Sequence, residues 1–305
     1  MSDAENTKRV VRDALREVLG DAHFGGAHVG NATGPVGGNA PACADDLCEP
    51  RYAPPPRVRD RAALEQLRTT TPARIAQGRT GTRYLTSVYV GLRAEHAIAL
   101  DAVHSETPDD FAAKLGAVAL RTRAKDKEEF LLHPDQGRRL DDASLARLDT
   151  EATKDVDVQI IAGDGLAAWA ILRQGEVLVP ALAAEFQRVG FRVGKPLFVK
   201  NARIGVQDEI GVRTRAKSTV ILVGERPGLG TGDSLSIYTA YGPKLGQDNA
   251  EKNCISNIRP LGLPPERAAR ECAELMRRTF AAGGGGLKLV RAANGAARGP
   301  AGAKP

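Results

Sequence analysis

From about residue 155 onward, short apolar runs alternate with segments of helical periodicity. We interpret four apolar runs as strands: "VDVQIIAGDGL", "KPLFV", "STVILV" and "SLSIYTAY". One helical segment ends at Gly190, and another begins at the prolines of "LPPERAARECAELMRRTF" and ends before Gly283. Buried strands that alternate with helices predict an α/β fold, with a mainly parallel sheet and helices on both faces. In such sheets, ligands bind beyond the carboxyl ends of the strands.

The preceding segment, residues 59–150, has helical periodicity and predicts a helical region ahead of the sheet. Its first helix has Thr71 as the N-cap and Pro72 at the first helical position. A second helix has an apolar stripe at positions i, i+4, i+8 and i+11, formed by Leu92, His96, Leu100 and Val103. A third helix lies within "TPDDFAAKLGAVAL" and has an apolar face of Phe111, Leu115 and Val118.

Both ends of the chain differ in composition from its central region. Residues 1–20 predict a short amphipathic helix with charged residues on its other faces. Residues 21–58 are rich in glycine, proline, alanine and asparagine, and cannot bury enough apolar surface to offset the entropy of ordering them. We interpret them as a flexible linker. The glycine- and alanine-rich residues 283–305 predict a disordered tail.

The net charge of +6 indicates nucleic-acid binding only if the basic residues cluster in the folded region. Four of them lie in the predicted tail: Lys288, Arg291, Arg298 and Lys304. Because the tail has no acids, removing these four charges leaves +2 for the rest of the chain. Aromatic residues make up only 4% of the sequence, too few for a base-stacking surface. We therefore expect no nucleic-acid partner.

The four cysteines are too few for a disulfide framework in a chain of 305 residues, and they lack zinc-site spacing. The five histidines are scattered, and no nucleophile has a recognisable base motif nearby. The N-terminus lacks the apolar segment of a secretory signal, and no stretch is long enough to span a membrane. These features predict a cytoplasmic binding scaffold without catalytic residues or metal ligands of its own.

The glycine-rich loop "GERPGLGTGD" follows a predicted strand but matches neither common phosphate-binding motif. It has no lysine for a Walker loop, and Asp233 occupies the third glycine position of a dinucleotide fingerprint. Glu225 would repel a phosphate, and Pro227 removes a backbone donor. The loop therefore favours a ligand that offers hydrogen-bond donors, such as amides. The alternative is a tight turn in which Glu225 forms an ion pair with Arg226 or another neighbour.

Six stretches together resemble the small (light) subunit of ethanolamine ammonia-lyase. They are "RTTTPARIAQGRTGTRYLT", "LRAEHAIALDAV", "FLLHPDQGRRL", "DVQIIAGDGL", "GERPGLGTGDSLSIYTAYGP" and "NCISNIRPLGLPP". All six occur in the family's order, and the similarity extends from about residue 60 to 282. The resemblance implies that residues 151–282 form a Rossmann-like domain that covers a cobalamin.

The resemblance also implies the reaction and the partner. The family converts ethanolamine to acetaldehyde and ammonia, and its radical chemistry uses adenosylcobalamin that keeps its own benzimidazole as the lower ligand (base-on). The large (heavy) subunit has the substrate site, and the corrin lies between the two chains of a hetero-oligomer. Family contacts to cobalamin correspond here to Ile204, Glu225 and Cys254, with Val206 as the alternative to Ile204. Amides on the corrin rim can donate to a carboxylate such as Glu225.

Three other interpretations stay open from the sequence. In organisms that enclose ethanolamine breakdown in a protein shell, or bacterial microcompartment, a tethered helix such as residues 1–20 acts as an encapsulation peptide. The chain would then be cytoplasmic but inside the shell. A self-contained Rossmann oxidoreductase that binds a nucleotide is a different enzyme class, disfavoured by the missing fingerprint glycines. A non-catalytic scaffold for a barrel partner is the third interpretation.

Overall fold

A computed structural model of the chain describes residues 58–71 and 73–297. The predicted helix at residues 1–20 and the predicted linker up to residue 57 lie outside the described residues. Within the described part, residues 58–97 and 98–297 belong to two compact units. The helices are α1 Arg61–Thr69, α2 Thr86–His104, α3 Phe111–Lys114, α4 Lys127–Leu132, α5 Asp142–Glu151, α6 Ala168–Arg188, α7 Val206–Thr214, α8 Pro265–Ala282 and α9 Gly286–Ala297. The strands are β1 Arg79–Thr80, β2 Arg83–Tyr84, β3 Val118–Arg121, β4 Val158–Gly163, β5 Leu197–Lys200, β6 Ser218–Gly224, β7 Leu235–Tyr241 and β8 Asn253–Ile258.

The helix predicted to begin at Thr71 is not observed, and the prediction is wrong. The Thr71 hydroxyl accepts a hydrogen bond from the backbone N–H of Ala73 at 3.1 Å, but the chain then turns. Ala76 has a φ of 51°, a left-handed conformation that a right-handed helix excludes. Arg74 forms an ion pair with the buried Glu95 of α2. Thr71 therefore makes a local hydrogen bond of the kind that an N-cap residue makes, but no helix follows it.

The apolar stripe predicted for α2 is only partly buried. His96 is exposed, and Leu100 keeps 48% of its surface in contact with solvent. The buried positions of this helix are Val88, Glu95 and Ala102, which recur every seven residues. Because the buried face of α2 includes the charged residue Glu95, a search for apolar side chains alone could not identify that face.

The third predicted helix is correct only at its start. Helix α3 ends at Lys114, and Gly116 adopts a φ of 61° that turns the chain out of the helix. Val118 then begins strand β3, which pairs in parallel with β5. Val118 and Leu120 are buried while Arg121 is exposed, the alternation of an edge strand. The sheet therefore includes a strand from residues that we assigned to the helical region.

The second unit contains a six-stranded sheet in the order β3-β5-β4-β6-β7-β8. The pairs β3–β5, β5–β4 and β4–β6 are parallel, whereas β6–β7 and β7–β8 are antiparallel. The predicted mainly parallel α/β sheet is confirmed. Strand β8 was not predicted, because its exposed polar residues lack the apolar run by which the other strands were recognised.

Two layers of helices cover the sheet. On one face, α6 and α8 pack against apolar side chains that include Val158 and Ile160 of β4. On the other face, α5 and α7 pack against a cluster that includes Ile161, which points to the opposite side of the same strand. Helices on both faces were predicted and are confirmed.

The C-terminal region differs from the predicted disordered tail. Residues 286–297 form α9, and Leu289 is buried. The N–H of Gly286 donates to the side-chain oxygen of Asn253 at 2.9 Å, which fixes the start of the helix beside β8. The run "LKLVRAA" supplies good helix formers within a glycine-rich composition, so composition alone was misleading. No helix in the described part of the chain combines the length and the apolar character needed to cross a lipid bilayer.

Candidate cofactor site

A cavity of about 870 Å³ opens at one edge of the sheet. It lies beyond the carboxyl ends of β4, β5 and β6 and beside the antiparallel strands β7 and β8, the place where α/β sheets bind ligands. The three positions with predicted cofactor contacts all line it: Ile204, Glu225 and Cys254. The lining brings together residues as far apart in sequence as Arg138 and Ser256.

The glycine-rich loop is a hairpin connection, which explains why it fails as a phosphate loop. It joins β6 to the antiparallel β7, so no helix follows whose N-terminus could bind an anion. At the base of this hairpin loop, the backbone at Gly224 packs directly against the backbone of the loop after β4, with almost no space between the two segments. A Cβ on Gly165 would lie 2.4 Å from the N atom of Gly224, and Leu166 N–H donates to Gly224 O at 3.0 Å. Gly165 also has a φ of 63°, which favours glycine.

Glu225 begins this loop and is held by its neighbours on β7 and β8. Its Oε1 accepts hydrogen bonds from the Ser236 hydroxyl at 2.6 Å and from the Asn257 backbone N–H at 2.8 Å. Within the described residues, no ion pair joins Glu225 to Arg226 and no hydrogen bond reaches Oε2. The alternative of a turn closed by that ion pair is therefore not observed. The carboxylate is oriented by two donors and keeps one oxygen for a ligand.

Cys254 lies on β8, opposite Tyr238 of β7 in the register of the two strands. Its Sγ lies 4.0 Å from the Ser236 hydroxyl oxygen, although the residue as a whole is exposed. Partial burial of its sulfur, followed by the nearby charge of Glu225, raises the pKa of the Cys254 thiol. Burial and the hydrogen bond with Cys254 raise the pKa of Tyr238 to about 12. This part of the wall is therefore neutral and polar at physiological pH.

The structure distinguishes Ile204 from its alternative, Val206. Ile204 lies in the turn before α7 and lines the cavity, whereas Val206 is the first residue of α7 and is fully buried in the core beneath. Ile204 is not part of a strand, because the segment after β5 turns directly into α7. Of the two side chains, that of Ile204 is the one placed to contact a bound ligand.

A buried ion pair closes another side of the cavity. The Lys252 ammonium, just before β8, donates to Asp208 Oδ2 on α7 at 3.0 Å and to the Gln247 carbonyl at 3.2 Å. Both side chains are almost completely buried. Burial raises the pKa of Asp208, against the opposing effect of the Lys252 charge. The pair connects the helix on one face of the sheet with the antiparallel edge.

A second buried acid supports the loops beneath the cavity. Asp164, directly after β4, accepts a hydrogen bond from the Ala202 N–H at 3.1 Å and thereby ties the loop after β4 to the loop after β5. The Lys127 ammonium donates to the Gly165 carbonyl at 3.2 Å. Burial raises the pKa of Asp164 and lowers the pKa of Lys127, so each is shifted toward its neutral form.

Arginines form the remaining wall of the cavity. They come from the turn after α4, the segment after β5 and the hairpin loop, and they are Arg138, Arg139, Arg203 and Arg226. Arg139 lies 3.5 Å from Glu209, and Arg203 donates to the Phe130 carbonyl at 2.8 Å while lying over its ring. Burial lowers the pKa of Arg203, and the charges of Arg138 and Arg226 lower it further.

Sequence reasoning missed several residues of this site. The period-2 alternation of "SLSIYTAY" places Ser236 and Tyr238 on the same face of a strand, and that signal was available. Asp208 and Lys252 are 44 positions apart, and nothing in their local sequence indicates the pairing. Arg138, Arg139 and Arg226 lie in quoted motifs and Arg203 does not, and the convergence of all four on one cavity depends on three separate loops.

Comparison with known proteins gives a consistent result over the folded region. Residues 61–290 match the family model described as "Ethanolamine ammonia-lyase light chain (EutC)". The chain is also 39% identical over 213 residues to a curated protein of Clostridium acetobutylicum named "Ethanolamine ammonia-lyase small subunit". That match covers 70% of this chain and 88% of the relative. The region matched by the family model contains all six strands of the large sheet.

Proposed function

The chain belongs to the ethanolamine ammonia-lyase light-chain family, and from this premise we propose that it is the small subunit of such a lyase. In the proposed enzyme, ethanolamine is converted to acetaldehyde and ammonia with base-on adenosylcobalamin as cofactor. The large subunit is the partner chain, and the cavity of the small subunit covers one side of the corrin. When bound, the cofactor supplies a carbon radical through homolysis of its cobalt–carbon bond.

The observation that supports this proposal most directly is the arrangement around Glu225. A corrin rim presents neutral amides, whose N–H groups are donors and whose carbonyls are acceptors. Glu225 Oε2 is an acceptor without a partner among the described residues, and its orientation is fixed through Oε1. Neutral polar groups lie beside it on β7 and β8, namely Ser236, Tyr238, Cys254 and Ser256. This chemistry fits an amide-bearing ligand.

The shape of the cavity supports a ligand shared with another chain. Pockets of about 300–1,000 Å³ enclose drug-sized ligands, and a corrinoid is much larger than those. A cavity of about 870 Å³ on this chain can therefore cover only part of a corrinoid. The remaining surface is left for the large subunit. In this arrangement the chain's own residues bind and orient the cofactor, and Ile204 supplies apolar contact beside Glu225.

The hairpin geometry disfavours the self-contained oxidoreductase. A Rossmann nucleotide site places the pyrophosphate at the N-terminus of the helix that follows the first strand. Here the glycine loop leads into an antiparallel strand, and Glu225 occupies its first position. The acid is better suited to a donor-bearing ligand than to a pyrophosphate.

The decisive experiment is reconstitution of both chains with ethanolamine and adenosylcobalamin. Acetaldehyde should form only when both chains are present, and the co-purified complex should retain cobalamin with its visible spectrum. Activity of the isolated chain with a nicotinamide cofactor would overturn the proposal. Full activity of the large subunit alone would instead support the interpretation of this chain as a non-catalytic scaffold.

A charge-removing variant tests the role of Glu225 in the same complex. Glu225→Gln keeps an oxygen that can accept from Ser236 and Asn257, so the loop should stay in place. Loss of the charge should weaken cobalamin binding about fivefold, since a charge-assisted bond becomes a neutral one. The matched control is Glu271→Gln on the exposed face of α8, paired with Arg267 away from the cavity. Equal cobalamin affinity of the two variants would contradict the assigned contact, and the Km for ethanolamine should change in neither.

We also propose that residues 1–20 act as an encapsulation peptide in hosts that form a microcompartment. Deleting these residues should release the enzyme from purified shells without lowering its specific activity. Unchanged co-purification with the shells would contradict this role. The proposal concerns residues outside the described part of the chain and rests on their sequence pattern.

A further inference from the structure

Three arginines from separate loops converge on the cavity without acidic partners. Arg138 ends the turn at Gln136–Arg138, Arg203 follows β5, and Arg226 follows Glu225 in the hairpin loop. Among the described residues, neither Arg138 nor Arg226 forms an ion pair or a side-chain hydrogen bond. Of the nearby acids, Asp208 is bonded to Lys252, Glu209 lies close to Arg139, and Glu225 accepts hydrogen bonds from Ser236 and Asn257.

Glycines hold two of these arginines beside each other. A Cβ on Gly137 would lie 2.7 Å from Cγ of Arg203, and a Cβ on Gly205 would lie 3.2 Å from Cγ of Arg138. The backbone N–H of Arg203 donates to the Gly137 carbonyl at 2.8 Å. The two loops therefore interlock, with each arginine stem packed over the glycine of the other loop. Such packing fixes like charges side by side, a costly arrangement unless an anion lies between them.

The charge distribution of the cavity is uneven. Its lining includes five basic side chains and two acidic ones, and one of the acids is Asp208, already paired. Glu225 and the neutral groups of β7 and β8 form one region, and the three arginines form another. A ligand with neutral amides and a single anionic group would match both regions. A guanidinium group can bind a phosphate through two parallel hydrogen bonds.

We propose that Arg138, Arg203 and Arg226 form an anion subsite that binds the phosphodiester of a corrinoid's nucleotide loop. This inference rests on the proposed function, because the corrinoid is the ligand that brings the phosphate. Arg203 is the fixed member, held by Phe130, and the two exposed arginines contribute charge from either side. The subsite binds the nucleotide loop, while Glu225, directly before Arg226 in the hairpin loop, accepts hydrogen bonds from the corrin amides.

The test compares corrinoids that differ in the phosphate, using the co-purified complex of both full-length chains. The probes are cobinamide, which has no phosphate, cobinamide phosphate and cobalamin, and the measurement is the dissociation constant from visible spectra. The test variants are Arg226→Gln and the double variant Arg138→Gln/Arg226→Gln. The control is Arg270→Gln, which changes an exposed arginine of α8 outside the cavity lining.

The native complex and the control should bind cobinamide phosphate and cobalamin more tightly than cobinamide. Each exposed arginine should contribute up to about fivefold, and the double variant should lose about tenfold or more for both phosphate-bearing probes. Its affinity for cobinamide should stay unchanged. The affinity for cobalamin should also fall as salt increases, and less steeply in the double variant.

Two results would overturn the inference in distinguishable ways. If the variants bind all three probes as the native complex does, or lose affinity for all three equally, the arginines do not recognise phosphate, while the proposed function stands. If the native complex binds none of the probes, the proposed function fails and the subsite fails with it. Urea unfolding of each variant checks the fold, and Arg226→Gln alone decides the question if the double variant is unstable.

Discussion

The cavity has two walls that are built in different ways. The wall at the carboxyl ends of β4 and β6 consists mainly of backbone, and it exists because Gly165 and Gly224 lack side chains. The wall formed by β7 and β8 consists mainly of side chains, and the Ser236 hydroxyl and the Asn257 backbone N–H both donate to Glu225 there. The first wall requires that Gly165 and Gly224 have no Cβ atoms, whereas the second requires particular polar groups.

This difference explains which changes each wall can tolerate. On the backbone wall, any added atom meets another main chain, so the fold itself is at risk. On the side-chain wall, a substitution removes one bond from a network that stays in place, and the effect is expected mainly on the ligand and on nearby titrating groups. The Asp208–Lys252 pair joins the helix behind the first wall to the second wall, so breaking it should affect both.

The largest effect is expected from Lys252→Met. This change leaves Asp208 buried without its ion-pair partner and should lower the free energy of unfolding by about 3–5 kcal/mol in urea denaturation. Lys244→Met is the control, because its partner Glu251 and the lysine itself are exposed, and it should cost about 1 kcal/mol or less.

The same variant should show a diagnostic pH dependence. Burial raises the pKa of Asp208 in the native protein, and loss of the lysine charge raises it further. The folded state then binds a proton more tightly than the unfolded state. The free energy of unfolding should therefore increase as the pH falls through the range between the raised pKa of Asp208 in the folded state and its lower pKa in the unfolded state, and it should decrease as the pH rises through that range. If the stability of Lys252→Met varied with pH as that of Lys244→Met does, Asp208 would not be the uncompensated charge.

The next largest effect is expected from Gly165→Ala, which breaks the backbone wall. Both Gly165 and Gly116 have φ near 60°, so alanine at either position should cost about 1 kcal/mol in backbone strain. At Gly165 the Cβ would also lie 2.4 Å from the Gly224 N atom, adding about 1–3 kcal/mol of overpacking. A Cβ at Gly116 meets nothing within 4 Å. Similar unfolding free energies for the two variants would mean that the close crossing is not required.

A smaller effect is expected from Ser236→Ala on the side-chain wall. The change removes the 2.6 Å hydrogen bond to Glu225 and should cost about 1–2 kcal/mol of stability, since Asn257 N–H still orients the carboxylate. Ser256→Ala is the matched control, an exposed serine that lines the same cavity, and it should change stability by less than about 0.5 kcal/mol. Thermal unfolding of the pair measures the difference.

The smallest effect concerns the reactivity of Cys254. Because its pKa is raised, the thiolate population at neutral pH is low, and alkylation by iodoacetamide should accelerate as the pH increases. Cys272 is buried with a pKa raised to about 12 and should not react in the folded protein. Glu225→Gln removes a nearby negative charge and should speed the reaction of Cys254 at neutral pH. Peptide mass spectrometry distinguishes the two cysteines. An alkylation rate of Cys254 that is unchanged in Glu225→Gln would show that the Glu225 charge does not affect the pKa of the thiol.

Strands with strong apolar runs could be predicted from the sequence, whereas elements defined by contacts could not. The "STVILV" run is buried on both faces and became β6 as expected. Val118–Arg121 looked like the continuation of a helix, and it is a strand because β5 offers a free edge for pairing. Residues 286–297 looked like part of a disordered tail, and they form a helix whose start is fixed by Asn253.

For the site, the sequence alone determined that an acid follows an apolar strand in a glycine-rich loop and that the loop matches neither common phosphate-binding motif. It also placed Ile204, Glu225 and Cys254 as candidates through family resemblance. Only the tertiary structure decided that the loop is a hairpin, that Ile204 rather than Val206 lines the cavity, and that Asp208 pairs with Lys252. Local sequence encodes propensity and chain direction, whereas pairing depends on contacts between residues far apart in the chain. The convergence of three arginines on one cavity has the same origin.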